Sequence, residues 1–361
     1  RRQRQMCIRD RPKDSAASAI KQLTQSGVSI RVLTGDSEEV TRYVCSVLGL
    51  PIKGVLLGRD ISKVDDASLS ALIHETNIFC RINPSEKERI IRAFKANGHT
   101  VGYLGDGIND APSLHTADVG ISVDSAVDVA REAADLILLH NDLNVLNDGV
   151  TEGRRTYANI MKYIMMGTSS NFGNMFSMAA ASLFLPFLPL LPAQVLLNNL
   201  LYDVSEFAIP MDNVDAESLQ KPHAWNVNFI RNFMWAAGPV SSLFDFLTFG
   251  VMLFVFQANE ELFHTGWFVE SLATQILAIF IIRTVGNPLK SKPNLWLVLT
   301  SMLVVLITCL LPYTPIAKLL GFEPLPISFF LILVVMVFCY LLLLETVKHF
   351  FYRHGSRLSS L

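Results

Sequence analysis

Three things are scarce in this sequence. The first is paired cysteine. The five cysteines (Cys7, Cys45, Cys80, Cys309 and Cys339) lie far apart, with no CxxC spacing. That argues against a disulfide framework and for free buried thiols in a reducing compartment. The second is net charge. Lys and Arg number 30 against 32 Asp and Glu, so the formal charge of −2 offers nothing to a polyanion, and a nucleic-acid partner is not expected. The third is a secretory signal, because no charged-then-apolar leader opens the chain. Residue 1 is Arg rather than Met, and the stretch "RRQRQMCIRDR" (1–11) has neither helical nor strand period. It reads as a non-native or unstructured start without a role. A nucleic-acid arm is the alternative reading of its basic charge.

Apolar residues are abundant instead. They make up 51% of the chain, and the mean hydropathy is +0.37. That is too apolar for an ordinary soluble domain and long enough for two units. The two halves differ. Residues 12–150 alternate strand and helix patterns. Strands are expected at 29–36, 76–82, 99–107, 117–123 and 134–139, with helices over 37–48 and from Pro84 to 96. This alternation predicts a mostly parallel α/β sheet covered by helices on both faces. Ligands of such sheets bind beyond the carboxyl ends of the strands.

Residues 151–361 read as a transmembrane domain. Six apolar runs, at about 163–185, 191–210, 232–256, 267–283, 294–312 and 327–347, approach the ~20 residues needed to cross a bilayer. The fourth is the shortest. Loops 186–193 and 257–266 carry no Lys or Arg. Loops 211–231 and 283–293 carry Lys221, Arg231, Arg283, Lys290 and Lys292, and the tail carries Lys348, Arg353 and Arg357. The basic side is the one shared with the α/β unit, so that unit and the C-terminus are expected in the cytoplasm. No proline interrupts 113–185, and one long helix is expected to leave the sheet and enter the membrane. A plain linker followed by a helix is the alternative.

The stretch "GDGINDAPSLHTADVGISV" (105–123) gathers Asp106, Asn109, Asp110 and Asp118, and a glycine flanks Asp106 on either side. Two carboxylates four residues apart and an amide are hard oxygen ligands of the type Mg²⁺ takes. Mg²⁺ neutralises charge on a transferring phosphoryl group. Thr34 and Gly35 can donate a hydroxyl and a backbone N–H to the same phosphate, and Lys87 can supply a point charge. Taken singly, a DG pair is an ordinary turn and a helical Lys is ordinarily solvated. Together, at successive strand ends, they point to phosphoryl chemistry.

The stretches "VLTGD" (32–36), "NPSEK" (83–87) and "GDGINDAP" (105–112) resemble the phosphorylation domain of P-type ATPases, which has a haloacid-dehalogenase-like (Rossmann-like) fold. The resemblance extends from residue 10 to about 355. "EGRRTYANIMKYI", "SSNFGNMFS" and "NNLLYDVSEFAIPMDNVD" resemble the bacterial magnesium-transporting members. It implies a partial α/β phosphorylation domain followed by a six-helix membrane bundle in the bacterial inner membrane. It also implies Mg²⁺ held by Asp106 and Asp110, with Thr34, Gly35 and Asp36 binding and ordering the phosphoryl group. Lys87 and Asn109 would contact an aspartyl phosphate. ATP would be bound mainly by a domain upstream. The family's nucleophile motif "DKTGT" and its "TGE" motif do not occur in the chain. The chain is therefore expected to be the C-terminal part of a pump, partnered by its missing N-terminal part and by lipid, and inactive alone.

Polar groups within spans default to functional hypotheses. Asn171 and Asn174 share one helix face, and Asn199 and Asp203 another. Asn174, Asp203 and, more weakly, Asn199 are the expected ligands of the transported divalent cation. Interhelical hydrogen bonding is the competing role for the Asn residues. Glu206 sits one turn nearer the cytoplasm. Asp245, near Ser241 and Ser242, reads equally as ligand or as structural group. A single deep carboxylate suits partly hydrated Mg²⁺ better than Ca²⁺. A pump for Ca²⁺ or H⁺, a non-catalytic membrane remnant and a membrane-anchored phosphatase are the alternatives. The last would need an Asp-x-Asp nucleophile pair, which the chain lacks.

Overall fold

The computed structural model describes residues 15–140, 142–222 and 225–355; the basic start at 1–11 lies outside them. The chain divides into two compact units, 1–152 and 153–361.

In the first unit, α1 (Ala16–Gln25) precedes β1 (Val32–Leu33), α2 (Glu38–Val47), β2 (Val55–Leu57), α3 (Gly58–Ile61), α4 (Asp66–Glu75), β3 (Ile78–Cys80) and α5 (Pro84–Ala96). Then follow β4 (Gly102–Leu104), a 3₁₀ turn at Ile108–Asp110, α6 (Ala111–Thr116), β5 (Val119–Val123), α7 (Asp128–Ala133) and β6 (Leu136–Leu138). The strands form two parallel three-stranded sheets, ordered β1-β3-β2 and β4-β5-β6. All five anticipated strands are present within their predicted ranges. β2 was not anticipated. It pairs with β3, Leu56 opposite Phe79.

Burial explains why β3 is central. Ile78, Phe79 and Cys80 are all fully buried, as expected for a parallel strand covered on both faces. On one side Phe79 packs with Ile61, Leu69, Ile73, Ile90 and Phe94. On the other, Ile78 and Cys80 pack with Cys45 and Leu50. Helix α5 starts where the sequence says it should. Asn83 caps it, Glu86 returns the hydrogen bond to the Asn83 N–H, and Pro84 occupies the first turn.

A single helix, α8, runs Asn144–Ala181 without interruption. In the second unit it is followed by α9 (Pro192–Glu206), α10 (Ala216–Gln220), α11 (Val227–Gly250), α12 (Glu260–Ile282), α13 (Leu295–Leu310) and α14 (Ile327–Gly355). Four helical stretches are long and apolar enough to cross a membrane: Val227–Val255, Glu260–Ile282, Leu295–Tyr313 and Ile327–Arg353. They coincide with the last four of the six anticipated runs. The other two differ. The first is the apolar end of the much longer, partly charged α8. The second is α9, whose 15 residues span about 22 Å at 1.5 Å each, short of a ~30 Å hydrocarbon core.

The run that looked shortest is the most enclosed. Helix α12 starts seven residues earlier than its apolar run, capped by Asn259, whose side chain accepts from the Leu262 N–H, and opened by Glu260 and Glu261. Its crossing with the end of α11, and the α8–α11 crossing beside it, are built for close approach. A Cβ on Gly266 would lie 2.5 Å from the Met252 sulfur, and one on Gly173 would lie 2.8 Å from the Ser241 Cβ. Small residues at such crossings let helices pack without hydrophobic drive from water. Near one end of the bundle, Asp212 in the loop after α9 is completely buried. It takes Lys162 at 2.8 Å and Arg283 at 2.9 Å. It also accepts from the Asn294 N–H, so α8, α12 and the start of α13 are tied to one carboxylate.

Candidate functional sites

The first site lies at the carboxyl ends of the strands in the α/β unit. Thr34 follows β1 directly. Its side-chain oxygen accepts from the Asp36 N–H at 3.1 Å, and its carbonyl accepts from the Ile82 N–H. The Asp36 carbonyl accepts from the Arg81 N–H at 2.9 Å, and Arg81 holds a left-handed backbone with φ of 52°. Such conformations are costly for a side-chain-bearing residue and collect at functional edges. The Thr34–Gly35–Asp36 turn is thus stitched to the connection that leads, through the Asn83 cap, to Lys87 on α5.

Lys87 reaches the second motif. Its ammonium lies 2.7 Å from Asp110 Oδ1, which also accepts from the Tyr103 hydroxyl at 2.7 Å. The other oxygen, Oδ2, accepts from the Gly107 N–H at 3.2 Å. Burial pushes the Asp110 carboxyl up, but the Lys87 and Tyr103 hydrogen bonds and the Lys87 charge outweigh it. The net shift is below the usual carboxylate value. Burial and the adjacent Asp110 push the Tyr103 phenol up, so it stays a donor. Gly105 makes room: a Cβ there would stand 2.6 Å from the Asp110 Cβ and 2.9 Å from the Tyr103 ring. The Gly105 carbonyl is held by the buried Ser122 hydroxyl at 2.9 Å.

Asp106 and Asn109 are exposed on the same turn. The Asp106 carboxylate enters no hydrogen bond or ion pair among the described residues, so its oxygens are open to a cation. The donor set fits a hard metal ion unevenly: Asp106 is free, whereas Asp110 Oδ1 is already saturated and only Oδ2 is lightly engaged. Thr34, Gly35, Asp36, Lys87, Asp106, Asn109 and Asp110 are therefore brought to one linked edge. Asp118 is not. It precedes β5, at the opposite end of the strands, where it accepts from the Val101 N–H at 2.8 Å and pairs with Lys95 at 3.0 Å. Its place in the acidic run of the sequence is a coincidence of the α6 loop. Tyr103 was missed, since an aromatic within a strand reads as core.

The second site lies among the membrane helices. Asn174 of α8 is half-buried, and its Oδ1 accepts from Ser271 of α12 at 3.2 Å. Asn171 is exposed. Asn199 and Asp203 share a face of α9, as their spacing requires, but that face is the exposed one. The buried face carries Gln194, Asn198, Tyr202, Ser205 and Glu206. The structure therefore does not bring Asn174 together with Asp203 in a closed site. Asp245 is fully buried and is not bonded to Ser241 or Ser242. Its oxygens accept from Ser177 at 2.6 Å and from the Trp267 indole N–H at 2.8 Å.

Comparison with known proteins fits both halves. Residues 187–350 match the family described as cation transporting ATPase, C-terminus, and residues 1–118 match haloacid dehalogenase-like hydrolase. The magnesium-transporting ATPase, P-type 1, of Salmonella typhimurium is 49% identical over 95% of this chain, which spans 39% of that protein's length. The Escherichia coli protein of the same name gives the same identity and coverage. A calcium-transporting ATPase of Bacillus subtilis is 31% identical over 84% of the chain and 36% of its own length. By these matches the chain is similar to the C-terminal part of the P-type cation-transporting ATPases.

Proposed function

We propose that the chain is the phosphate-handling edge and membrane portion of an ATP-driven Mg²⁺ pump of the bacterial inner membrane, with the α/β unit and C-terminus in the cytoplasm. The observation that carries this is the linked edge of the α/β unit. Thr34, Lys87 and Asp110, distant in sequence, are tied into one hydrogen-bonded line beside an unpaired Asp106. The identity to magnesium-transporting relatives supports the choice of ion.

In this reading Asp106, with the open edge of Asp110 Oδ2, holds the catalytic Mg²⁺, which supplies charge neutralisation for the phosphoryl group. The Thr34 hydroxyl and Gly35 N–H donate to the phosphoryl oxygens. Asp36 orders that turn through its backbone bonds. Lys87, kept in place by Asp110, provides the positive charge, and Asn109 adds an amide. Asp110 works mainly by positioning Lys87 and the Gly107 turn. In the membrane, Asn174, Asp203 and Asn199 are the proposed ligands of the transported cation. The exposed face of α9 that bears two of them is available to further protein.

The test is a chimera that joins the N-terminal part of the Salmonella relative to this chain, expressed in a bacterium unable to grow at low Mg²⁺. Growth rescue is expected, with rescue lost in Asp106→Asn. A chimera that inserts in the membrane and, with Mg²⁺ present, hydrolyses ATP only when Ca²⁺ is added would replace Mg²⁺ by Ca²⁺ as the transported ion. Rescue that survives Asp106→Asn would remove the site assignment.

A further inference from the structure

Helix α12 carries a second carboxylate that the mechanism above does not use. Glu270, at the middle of the helix, is 1% exposed, and neither of its oxygens meets a hydrogen-bond partner. It lies one turn along from Trp267, whose indole N–H holds Asp245 of α11. Thr248, one turn along α11 from Asp245, is also 1% exposed, and its hydroxyl oxygen is unpartnered too. Asp245 and Thr248 on one helix thus face Trp267 and Glu270 on the other. Glu270 and Asp245 lie within electrostatic reach of each other, as does the buried Tyr340 of α14.

The balance of donors and acceptors is lopsided. Asp245 has two donors, Ser177 and Trp267. Glu270 has none. No Lys, Arg or His pairs with either carboxylate among the described residues. Basic groups on α12 and α14 are engaged elsewhere: His264 with the Leu188 carbonyl, Arg283 with Asp212, and Lys348 with Glu345 and the carbonyls of Ile281, Thr284 and Gly286. Two buried carboxylates with a spare hydroxyl oxygen and no counter-charge are costly inside a bilayer. The segment that follows Thr248 is a π-helix, Val251–Val255, a distortion frequent beside functional sites.

We infer that Asp245 and Glu270, with the hydroxyl oxygens of Thr248 and Ser177, form an intramembrane binding site for a hard divalent cation, distinct from the ligands proposed at Asn174, Asn199 and Asp203. All its donors are oxygens, and its two carboxylates match a double positive charge. The site shares a border with Asn174, since Ser271 beside Glu270 is the donor to Asn174. A cation moving along α12 would pass between them.

Trp267 is a built-in reporter. The full 361-residue chain would be placed in lipid nanodiscs with Trp225, Trp235 and Trp296 replaced by Phe, and its emission followed during Mg²⁺ titration. A saturable change is expected. Glu270→Gln and Asp245→Asn should weaken it by roughly tenfold or more, because each removes one ligand charge. Asp203→Asn should leave it intact, so failure of the proposed transport site and failure of this one give different patterns. Glu270→Asp keeps the charge and should retain a weaker response, and thermal melts of each variant show whether it is folded. Equilibrium dialysis against Mg²⁺ supplies a direct count should Gln or Asn variants fail to fold; in the Asp106→Asn/Asp203→Asn double variant, which removes both sites proposed above, it should still return one Mg²⁺ per chain. An unchanged response in Glu270→Gln overturns the proposal. So does a response to pH with none to Mg²⁺, which would mean that the carboxyls hold protons. So does a dialysis count of zero in the Asp106→Asn/Asp203→Asn double variant.

Discussion

At the scale of single residues, Asp110 is the hinge of the strand-end cluster. It is the meeting point of Lys87, Tyr103 and the Gly107 N–H. Its carboxyl is held below its ordinary value by those partners, against burial. A depressed folded value means that the ionised carboxylate stabilises the fold above the unfolded value, near pH 4, and that this contribution fades as pH falls through the folded value. Asp110→Asn is therefore expected to cost about 1–3 kcal/mol at pH 7, the order of a buried hydrogen bond to a charged group. The gap between variant and wild type should shrink below about pH 4. Paired thermal melts at neutral and acid pH check both parts. A gap that widens on acidification would mean that the carboxyl is not stabilised as an anion.

How far residues were legible depended on whether their partners were local. Lys87 and Asp110 stood out by motif, but nothing in "HTVGYLGDG" marks Tyr103 as the group that fixes Asp110, because β-strand aromatics are ordinarily core. Asp118, which the sequence reading gave no role, shows the converse. It is close to Asp110 in sequence, yet α6 and the turn into β5 carry it to the other end of the strands, where Lys95 and the Val101 N–H claim it.

At the scale of elements, periodicity located α2, α5, the long α8 and the later apolar helices, and strands wherever the run was continuous, but not α1, α4 or the short helices of the first unit. It missed β2, whose three residues Val55–Leu57 are too short to show a period and acquire strand geometry only by pairing with β3. It misplaced the start of α12, because Glu260, Glu261 and His264 break the apolar run while suiting a capped first turn. Helix α9 shows the sharper limit. A helical spacing tells which residues share a face and not which face meets the bundle. Gln194 on the inner face accepts from the Leu191 N–H and donates to the Leu320 carbonyl. Asn199 and Asp203 are on the outer face. Two variants should then separate cleanly. Gln194→Ala leaves two backbone groups without a partner and should lower stability by about 1–3 kcal/mol. Asp203→Asn should fall within about 0.5 kcal/mol of wild type yet abolish Mg²⁺ transport by the chimera. Unfolding of the chain in nanodiscs gives the first comparison and ²⁸Mg²⁺-free uptake of cold Mg²⁺ into vesicles the second. Strong destabilisation by Asp203→Asn would place that side chain in the packing of the bundle rather than at the cation.

At the scale of the whole molecule, the proposed reading gives the chain groups to grip a phosphoryl group, while the sequence holds no copy of the family's nucleophile motif. Thr34, Lys87, Asp106 and Asp110 are set along one edge, but no "DKTGT" occurs in 361 residues. Phosphoryl transfer is positioning plus charge stabilisation around a nucleophile that must itself be present. The isolated chain incubated with γ-³²P-labelled ATP and Mg²⁺ is therefore expected to take up no acid-stable label. The chimera should take up label that hydroxylamine removes, as an acyl phosphate would require, and Lys87→Ala should reduce it. Acid-stable label on the chain by itself that hydroxylamine removes would show that one of its own carboxylates is phosphorylated, and the exposed, unpaired Asp106 would be the first to mutate. It would then be an acceptor rather than a metal ligand, and the division of labour along this edge would have to be redrawn around it.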